Sequence, residues 1–334
     1  MDWEQRSLRL CAAVLSLAVL LRLCAGGLPG VLGQALENPE VASFLVYLHT
    51  GRSVRLSSRL PEIGSVAENP LPATPLAMPE AAPVVFSADD AALVEFTNDT
   101  PLQPDIPGLL TRPLDWDLTD GAPKVLIVHT HTTESYAQTD ERYVETSPYR
   151  TLDPAHNMLY LGDLVENRLE AAGIGVIHDE AFHDYPSYNG AYTDAAQSVQ
   201  TLLEQYPSIE LVLDLHRDAA DTPYGQLVTS CTVGGRTSAQ LMFVVAAATD
   251  HRVRPDWEEN LSLARKLQVL LERSAPGICR PTNLVSFRYN QHLGNRALLI
   301  EIGAAGNTLD EAAIAADALA DALIQLAHSG ASPD

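Results

Sequence analysis

Lys124-Val-Leu-Ile-Val-His-Thr-His-Thr-Thr-Glu-Ser-Tyr136 runs four apolar residues straight into two histidines and a carboxylate, with no turn residue between. A continuous aliphatic, β-branched run suits a strand covered on both faces, as in a parallel sheet. Open α/β sheets place their chemistry beyond the carboxyl ends of such strands. Val125 to Val128 therefore read as core, and His129 onward as site.

Within this stretch, His131 and Glu134 have the spacing His-x-x-Glu, which lets an imidazole nitrogen and a carboxylate oxygen reach one ion from a single turn of chain. Zinc takes these ligand types, and a catalytic zinc keeps three protein ligands plus an open position. The third ligand is expected from Leu211-Val-Leu-Asp-Leu-His-Arg-Asp218, a second apolar run ending in His216, 85 residues after His131 (216 − 131). A third run, Leu298-Leu-Ile-Glu-Ile-Gly303, carries one acid, Glu301. A carboxylate buried in such a strand must pair, bind something or have a raised pKa, and the last of these suits a general base. Taken singly, a histidine in such a place is more often a hydrogen-bonded structural residue. Three apolar strands each ending in ligand or base residues make that coincidence much harder.

Outward from the first strand, Leu161, Leu164, Val165, Leu169 and Ala172 fall at helical spacing, with Gly173 as C-cap. A short strand over Ile174–Ile177 follows, then a helix marked by Tyr192, Ala195, Ala196, Val199, Leu202 and Leu203, then the Leu211 strand. Strand, helix, strand, helix, strand predicts an α/β fold with a mostly parallel sheet flanked by helices. Gln226–Val233 and Leu241–Ala248 read as further strands, with a hairpin across Gly234-Gly235. A helix over Trp257–Arg273, the Glu301 strand and a last helix opening on the capping box Thr308-Leu-Asp-Glu311 complete the domain.

The chain has 334 residues, 46% of them apolar, enough for one domain of roughly 200 residues and more besides. Its formal charge of −22, from 43 acids against 21 bases, argues against nucleic acid or an anionic membrane surface as partner of the soluble part. Of four cysteines, Cys231 and Cys279 fall in the folded region, where one disulfide could form and no Cys-x-x-Cys metal site exists.

Leu10 to Leu21 is apolar except for Ser16 and is flanked by Arg6, Arg9 and Arg22, so residues 1–34 read as a signal peptide or a signal anchor. Residues 35–60 form a short apolar segment of unassigned structure. Residues 61–123 hold 11 of the chain's 22 prolines without sustained periodicity, and read as an extended Pro-rich linker, although Val84–Phe96 could form a strand packed on the domain. The catalytic domain is expected over 124–328, with a tail at 329–334. The domain would then work outside the cytoplasm, tethered at the membrane face by the N-terminal segment, or secreted if that segment is cleaved.

From about Lys124 to Ala327 the chain resembles the stage II sporulation protein P family, on His129 to Ser135 (His-Thr-His-x-x-Glu-Ser), Asp214 to Ala219 (Asp-Leu-His-Arg-Asp-Ala), Arg288 to Gln291 (Arg-Tyr-Asn-Gln) and Glu301 to Gly303 (Glu-x-Gly). Asn260 to Ala264 agrees as well. The resemblance implies a fold similar to zinc-dependent N-acetylmuramoyl-L-alanine amidases and a membrane-anchored peptidoglycan hydrolase of endospore formers. Such an enzyme cuts stem peptides from glycan strands, and peptide crosslinks too, during engulfment of the forespore. Implied partners are peptidoglycan, a lytic transglycosylase (stage II sporulation protein D) and a membrane protein (stage II sporulation protein M).

The expected set is Zn2+ on His131, Glu134 and His216, with Glu301 as general base. Analogy with the related amidases favours His131 over His129, which becomes an outer partner or the alternative ligand, as do Asp214 and Asp218. Arg217 either stabilises the oxyanion or substrate, or pairs with Asp214 or Asp218. Arg288, Tyr289, Asn290 and Gln291 either line the substrate groove or form a polar loop. A zinc peptidase or carboxypeptidase on other peptides, and a non-catalytic wall-binding scaffold, are the alternative functions.

Overall fold

The computed structural model describes residues 84–139, 142–223, 225–247, 257–294 and 296–329. After a 3-10 turn (Ala88–Leu93) the chain runs through β1 (Phe96–Asn98), α1 (Ile106–Thr111), β2 (Pro123–Val128), α2 (Met158–Ala171), β3 (Gly175–His178), α3 (Ala191–Gln205) and β4 (Leu211–Asp218). It continues with β5 (Asp221–Thr222), β6 (Gly225–Gln226), β7 (Ser230–Val233), β8 (Arg236–Ala239), β9 (Leu241–Ala246), α4 (Trp257–Ser274), β10 (Thr282–Val285), β11 (Ala297–Ala304) and α5 (Leu309–Ser329).

Seven strands form the main sheet in the order β1-β10-β9-β11-β4-β2-β3. Every neighbouring pair is parallel except β9 with β11. The fold is α/β, a mostly parallel sheet flanked by helices. The apolar runs read from the sequence are its central strands because both faces are covered. On one face Val125, Ile127, Leu213, Leu215 and Ile300 pack against α2, α4 and α5. On the other, Leu126, Val128, Val212 and Ala297 pack against Ala195 and Val199 of α3. The ends are capped as expected: Glu311 N–H donates to Thr308 Oγ1 at 3.2 Å while Thr308 N–H donates to Glu311 Oε2 at 3.1 Å, closing the capping box of α5.

Two expectations are corrected. The hairpin across Gly234-Gly235 pairs β7 with β8 as a separate ribbon, and Leu241–Ala246 instead enters the main sheet between β10 and β11. Residues 84–123 are not an extended linker: β1 adds a strand beside β10, and Ile106, Leu109, Leu110, Trp116 and Leu118 are buried. Their anchor is polar and lies on α4. Arg265, 1% exposed, donates to the carbonyls of Val94 (2.9 Å) and Glu95 (2.6 Å), and Lys266 donates to those of Leu109 (2.9 Å) and Leu110 (2.5 Å). Hydrogen bonds from a charged donor contribute roughly 1.5–3 kcal/mol each. Burial pushes the Lys266 ammonium down to about 8, which marks how dry this seam is.

Cys231 and Cys279 are free thiols. The N-terminal hydrophobic segment, the apolar segment at 35–60, the first part of the Pro-rich stretch and residues 330–334 lie outside the described residues. Among the described residues no helix is long and apolar enough to cross a membrane.

Candidate metal centre

β2, β4 and β11 deliver their last residues to one end of the sheet, on the face that carries α3. Glu301 sits beside His216 in parallel register and opposite Met242 in antiparallel register, so His216 and Glu301 project to the same side. The chain after Glu301 is fixed by Gly303. Its φ is +69°, and a Cβ there would lie 2.8 Å from Ala239 Cβ and 3.1 Å from Asn307 Oδ1, so the Glu-x-Gly pattern has a steric cause. Tyr136 O–H donates to Ile302 O at 2.6 Å, fastening the loop after β2 over β11.

Beyond Val128 that loop curls so that His131 stacks on Tyr188 (ring centroids 4.5 Å, interplanar 10°) and meets His216 edge-on at 5.3 Å. Burial lowers His131 to about 4, against the pull of Glu134, so its imidazole is neutral near pH 7. Burial alone would raise Glu134, but the Arg217 charge and the His216 contact outweigh it and hold the carboxyl at about 2. Burial alone would lower His216, but the charges of Asp214 and Glu134 raise it well above the usual range. Its Nδ1 lies 3.5 Å from Glu134 Oε2, and its Nε2 lies 2.9 Å from Asp214 Oδ1 but out of line for a hydrogen bond.

Glu301 stands apart from these pairings. Its Oε2 is inaccessible and has no hydrogen-bond partner, and burial, reinforced by Glu134 and Asp218 and opposed by His216, pushes it up to about 8. Its carboxyl is thus the acid of the cluster that burial holds up toward neutral pH.

Does this set fit zinc? Two buried imidazoles and the buried Glu134 carboxylate are the residue types of a catalytic zinc; His131 Nδ1 and His216 Nε2 make no hydrogen bond, although carboxylate oxygens lie near them (Asp184 Oδ2 at 4.0 Å and Asp214 Oδ1 at 2.9 Å). Their spacing is wider than in a closed site. Among the described residues, only Asp163, His178 and Glu180 bring three ligand atoms within 4.8 Å of one another.

The remaining expected site residues fall as follows. His129 is turned to the opposite face, its Nδ1 3.2 Å from Leu215 O and its Nε2 2.8 Å from His178 Nε2, and does not face the cluster. Asp214 accepts Thr130 N–H at 2.8 Å and Thr130 O–H at 2.6 Å, an orienting role beside His216. Asp218 is paired with Arg280 at 2.7 Å. Arg217 pairs with neither aspartate: its Nε and Nη2 donate to the carbonyls of Ser135 and Tyr149 at 2.9 Å, and its Nη1 lies 3.6 Å from Glu134 Oε1. It is a buried strut for Glu134, not a group open to an oxyanion. Gln291 is also turned inward, bridging Ala246 N–H and Val244 O of β9. Asn290 donates to Tyr192 O, Tyr289 approaches Tyr192 at 5.7 Å, and Arg288 is exposed. Tyr289, Asn290 and Gln291 share a small pocket with Thr130 and Asp214, with space for about one water.

Sequence reasoning missed Asp184 and Arg150. Asp184 accepts Thr133 N–H (3.1 Å) and O–H (2.6 Å) and pairs with Arg150 (2.6 Å), which also reaches Glu134 Oε1 at 3.4 Å and lies over the Tyr188 ring. Asp184, Tyr188 and Tyr192 lie on the loop and helix start that follow β3, at the same carboxyl end of the sheet that pointed to the other three strands.

A family model described as stage II sporulation protein P matches residues 80–324. The chain belongs to that family. The matched region starts before the first described residue, in keeping with residues 84–123 being part of the domain. Stage II sporulation protein P of Bacillus subtilis (strain 168) is 30% identical over 222 residues, which is 62% of this chain and 52% of that protein. The chain thus aligns with about half the length of this relative.

Among solved structures, the N-acetylmuramoyl-L-alanine amidase AmiC2 of Nostoc punctiforme is 13% identical, covering 61% of this chain and 94% of its own, at a TM-score of 0.38. An N-acetylmuramoyl-L-alanine amidase from Clostridium difficile 630 is 16% identical, covering 62% and 95%, at 0.37. The CwlD amidase of Clostridioides difficile, solved in complex with the GerS lipoprotein, is 13% identical, covering 62% and 94%, at 0.35. TM-scores this low carry no weight for the chemistry of the site.

Proposed function

We propose that this chain is a zinc-dependent peptidoglycan hydrolase that cleaves the amide between N-acetylmuramic acid and L-alanine, and peptide crosslinks as well, in remodelling the wall during forespore engulfment. The observation that carries this reading is the buried, unpaired Oε2 of Glu301 beside the His131, Glu134 and His216 donors. A structural zinc is closed by four ligands and has no use for such an acid. Family membership supports the peptidoglycan substrate. Stage II sporulation proteins D and M are the partners this reading expects.

In this reading His131, Glu134 and His216 would hold the zinc, which when bound supplies Lewis acidity to the scissile carbonyl and acidifies water at neutral pH. Glu134 stays a carboxylate because Arg217 and His216 hold its pKa low, and His131 presents a neutral imidazole. His216 must give up a proton to ligate, so metal uptake at this set releases protons. Glu301 Oε2 takes a proton from the attacking water and returns it to the departing amine nitrogen of L-alanine.

The N-terminal segment and the Pro-rich residues before 84 would tether this domain on the extracytoplasmic face of the cell membrane. The deciding experiment is incubation of the purified chain with muropeptides of known structure, with products identified by mass. Release of intact stem peptide from muramic acid is the expected result. Cleavage confined to peptide bonds would make the chain a peptidase, and a zinc-loaded chain without any cleavage would make it a wall-binding scaffold.

A further inference from the structure

On the face opposite the Glu301 cluster, His129 and His178 are both buried with their Nε2 atoms 2.8 Å apart. His129 Nδ1 lies 3.2 Å from Leu215 O, an acceptor only, so Nδ1 carries the proton and Nε2 is a lone pair. His178 Nε2 must then be the donor between the two rings. That leaves His178 Nδ1 facing Glu166 Oε2 at 3.2 Å and Asp163 Oδ1 at 3.3 Å. Two carboxylates cannot both face a lone pair at that distance without a cation between them. A proton on Nδ1 is one such cation, and the carboxylates hold His178 up at about 9 despite its burial. A metal ion is the other.

Asp163, His178 and Glu180 bring one ligand atom each within 4.8 Å of one another. We infer that Asp163, His178 and Glu180, with Glu166 beside them, form a second divalent-cation site, separate from the proposed zinc ligands. Three elements of its construction point the same way. Asp163 and Glu166 are three residues apart on α2, so both carboxylates look at the end of β3. Gly162 admits the ring pair: a Cβ there would lie 2.3 Å from His178 Nε2 and 2.7 Å from His129 Nε2. The His129 hydrogen bond fixes the His178 tautomer, as the outer partner of a metal-bound histidine normally does. One imidazole with several carboxylates suits a divalent transition-metal ion such as zinc better than calcium or magnesium, which take oxygen ligands. Because His129 lies two residues before His131, the second site also braces the strand end from which the proposed zinc ligands depart.

The test uses the metal-free full-length chain titrated with Zn2+, read by calorimetry and by elemental analysis after desalting. Three chains are compared: wild type, Asp163→Asn with Glu180→Gln, and His131→Ala. The double variant changes one half-exposed and one exposed residue and keeps the His129–His178 pair, so it folds. Two zinc ions per wild-type chain are expected, one lost or weakened tenfold or more in the double variant, and the other lost in His131→Ala. One ion per wild-type chain that the double variant removes and His131→Ala keeps would still establish this site while refuting the proposed zinc ligands. Identical stoichiometry and affinity in wild type and the double variant would overturn the inference and leave His178 holding only a proton.

Discussion

His129 and His131 are two residues apart and end on opposite sides of the sheet. His129 continues the alternation of Val125 and Ile127 and is fixed against α2 by its bonds to Leu215 O and His178. His131 lies past the last strand residue, where the chain is free of that alternation, and it curls over to Tyr188, Tyr192 and His216. A spacing of two puts residues on one face only while the strand lasts. Identical residue types in one short motif therefore meet different chemistry: a closed histidine pair on one face, and on the other a cluster of imidazoles and carboxylates beside the unbonded Oε2 of Glu301.

The largest expected effect breaks the open cluster at its base. Glu301→Gln keeps shape and hydrogen-bonding capacity but cannot accept a proton, so amide cleavage should fall ~10² to 10⁴-fold with zinc content unchanged. A folded, zinc-loaded variant near wild-type rate would send the search for the base to Glu134, Asp214 or Asp218. Next in size is the contrast between the two histidines. His131→Ala and His216→Ala should each lose zinc at the proposed catalytic set by more than the ~10 to 100-fold that an outer partner costs, whereas His129→Ala should keep it. Metal analysis of the three variants decides, and the reverse pattern would exchange the two roles.

The central strands were legible because their signal is local: β2, β4 and β11 are predominantly apolar runs that carry the site residues or lead directly into them. Glu301 could be singled out on the same ground, as the one acid in its run. The N-terminal part of the domain was not legible because what orders it lies elsewhere in the chain. The residues from Val84 to Pro123 lack periodicity, and their carbonyls are satisfied by Arg265 and Lys266, more than 150 positions away, which look like the solvated face of a helix when read alone. Arg217 misled for a related reason. Its place next to His216 suggested a role at the open face, but strand alternation turns it to the other side, where it holds Glu134 and the loop carbonyls.

The closed pair can be broken sterically. Gly162→Ala puts a methyl group 2.3 Å from His178 Nε2, and overpacking of this kind costs about 1–3 kcal/mol. Urea denaturation should show that loss, while zinc binding at His131 and His216 persists in the folded fraction. A variant as stable as wild type would mean that the two rings can part, and that His129 is not held away from the open cluster.

Titration sharpens the comparison last. Glu301 has its folded-state pKa raised from 4.5 to about 8, first by burial and then by Glu134 and Asp218. Between those values the folded, metal-free protein keeps a proton that the unfolded chain releases, so folding stability falls as pH rises from about 4.5 and levels off above about 8. Glu301→Gln lacks this titration. The melting temperature of metal-free wild type, relative to the variant, should therefore drop steadily between pH 5 and 8, by several degrees, since 1 kcal/mol corresponds to about 2–4 °C in a domain of this size. His129 offers no parallel: burial first, and then the His178 charge, hold it at about 3, so it is neutral across the same window. Zinc should flatten the Glu301 drift, because a cation at His131, Glu134 and His216 favours the ionised carboxylate beside it. A difference that is independent of pH in the metal-free protein would show that burial does not raise the Glu301 pKa, and would remove the ground for singling it out as the base.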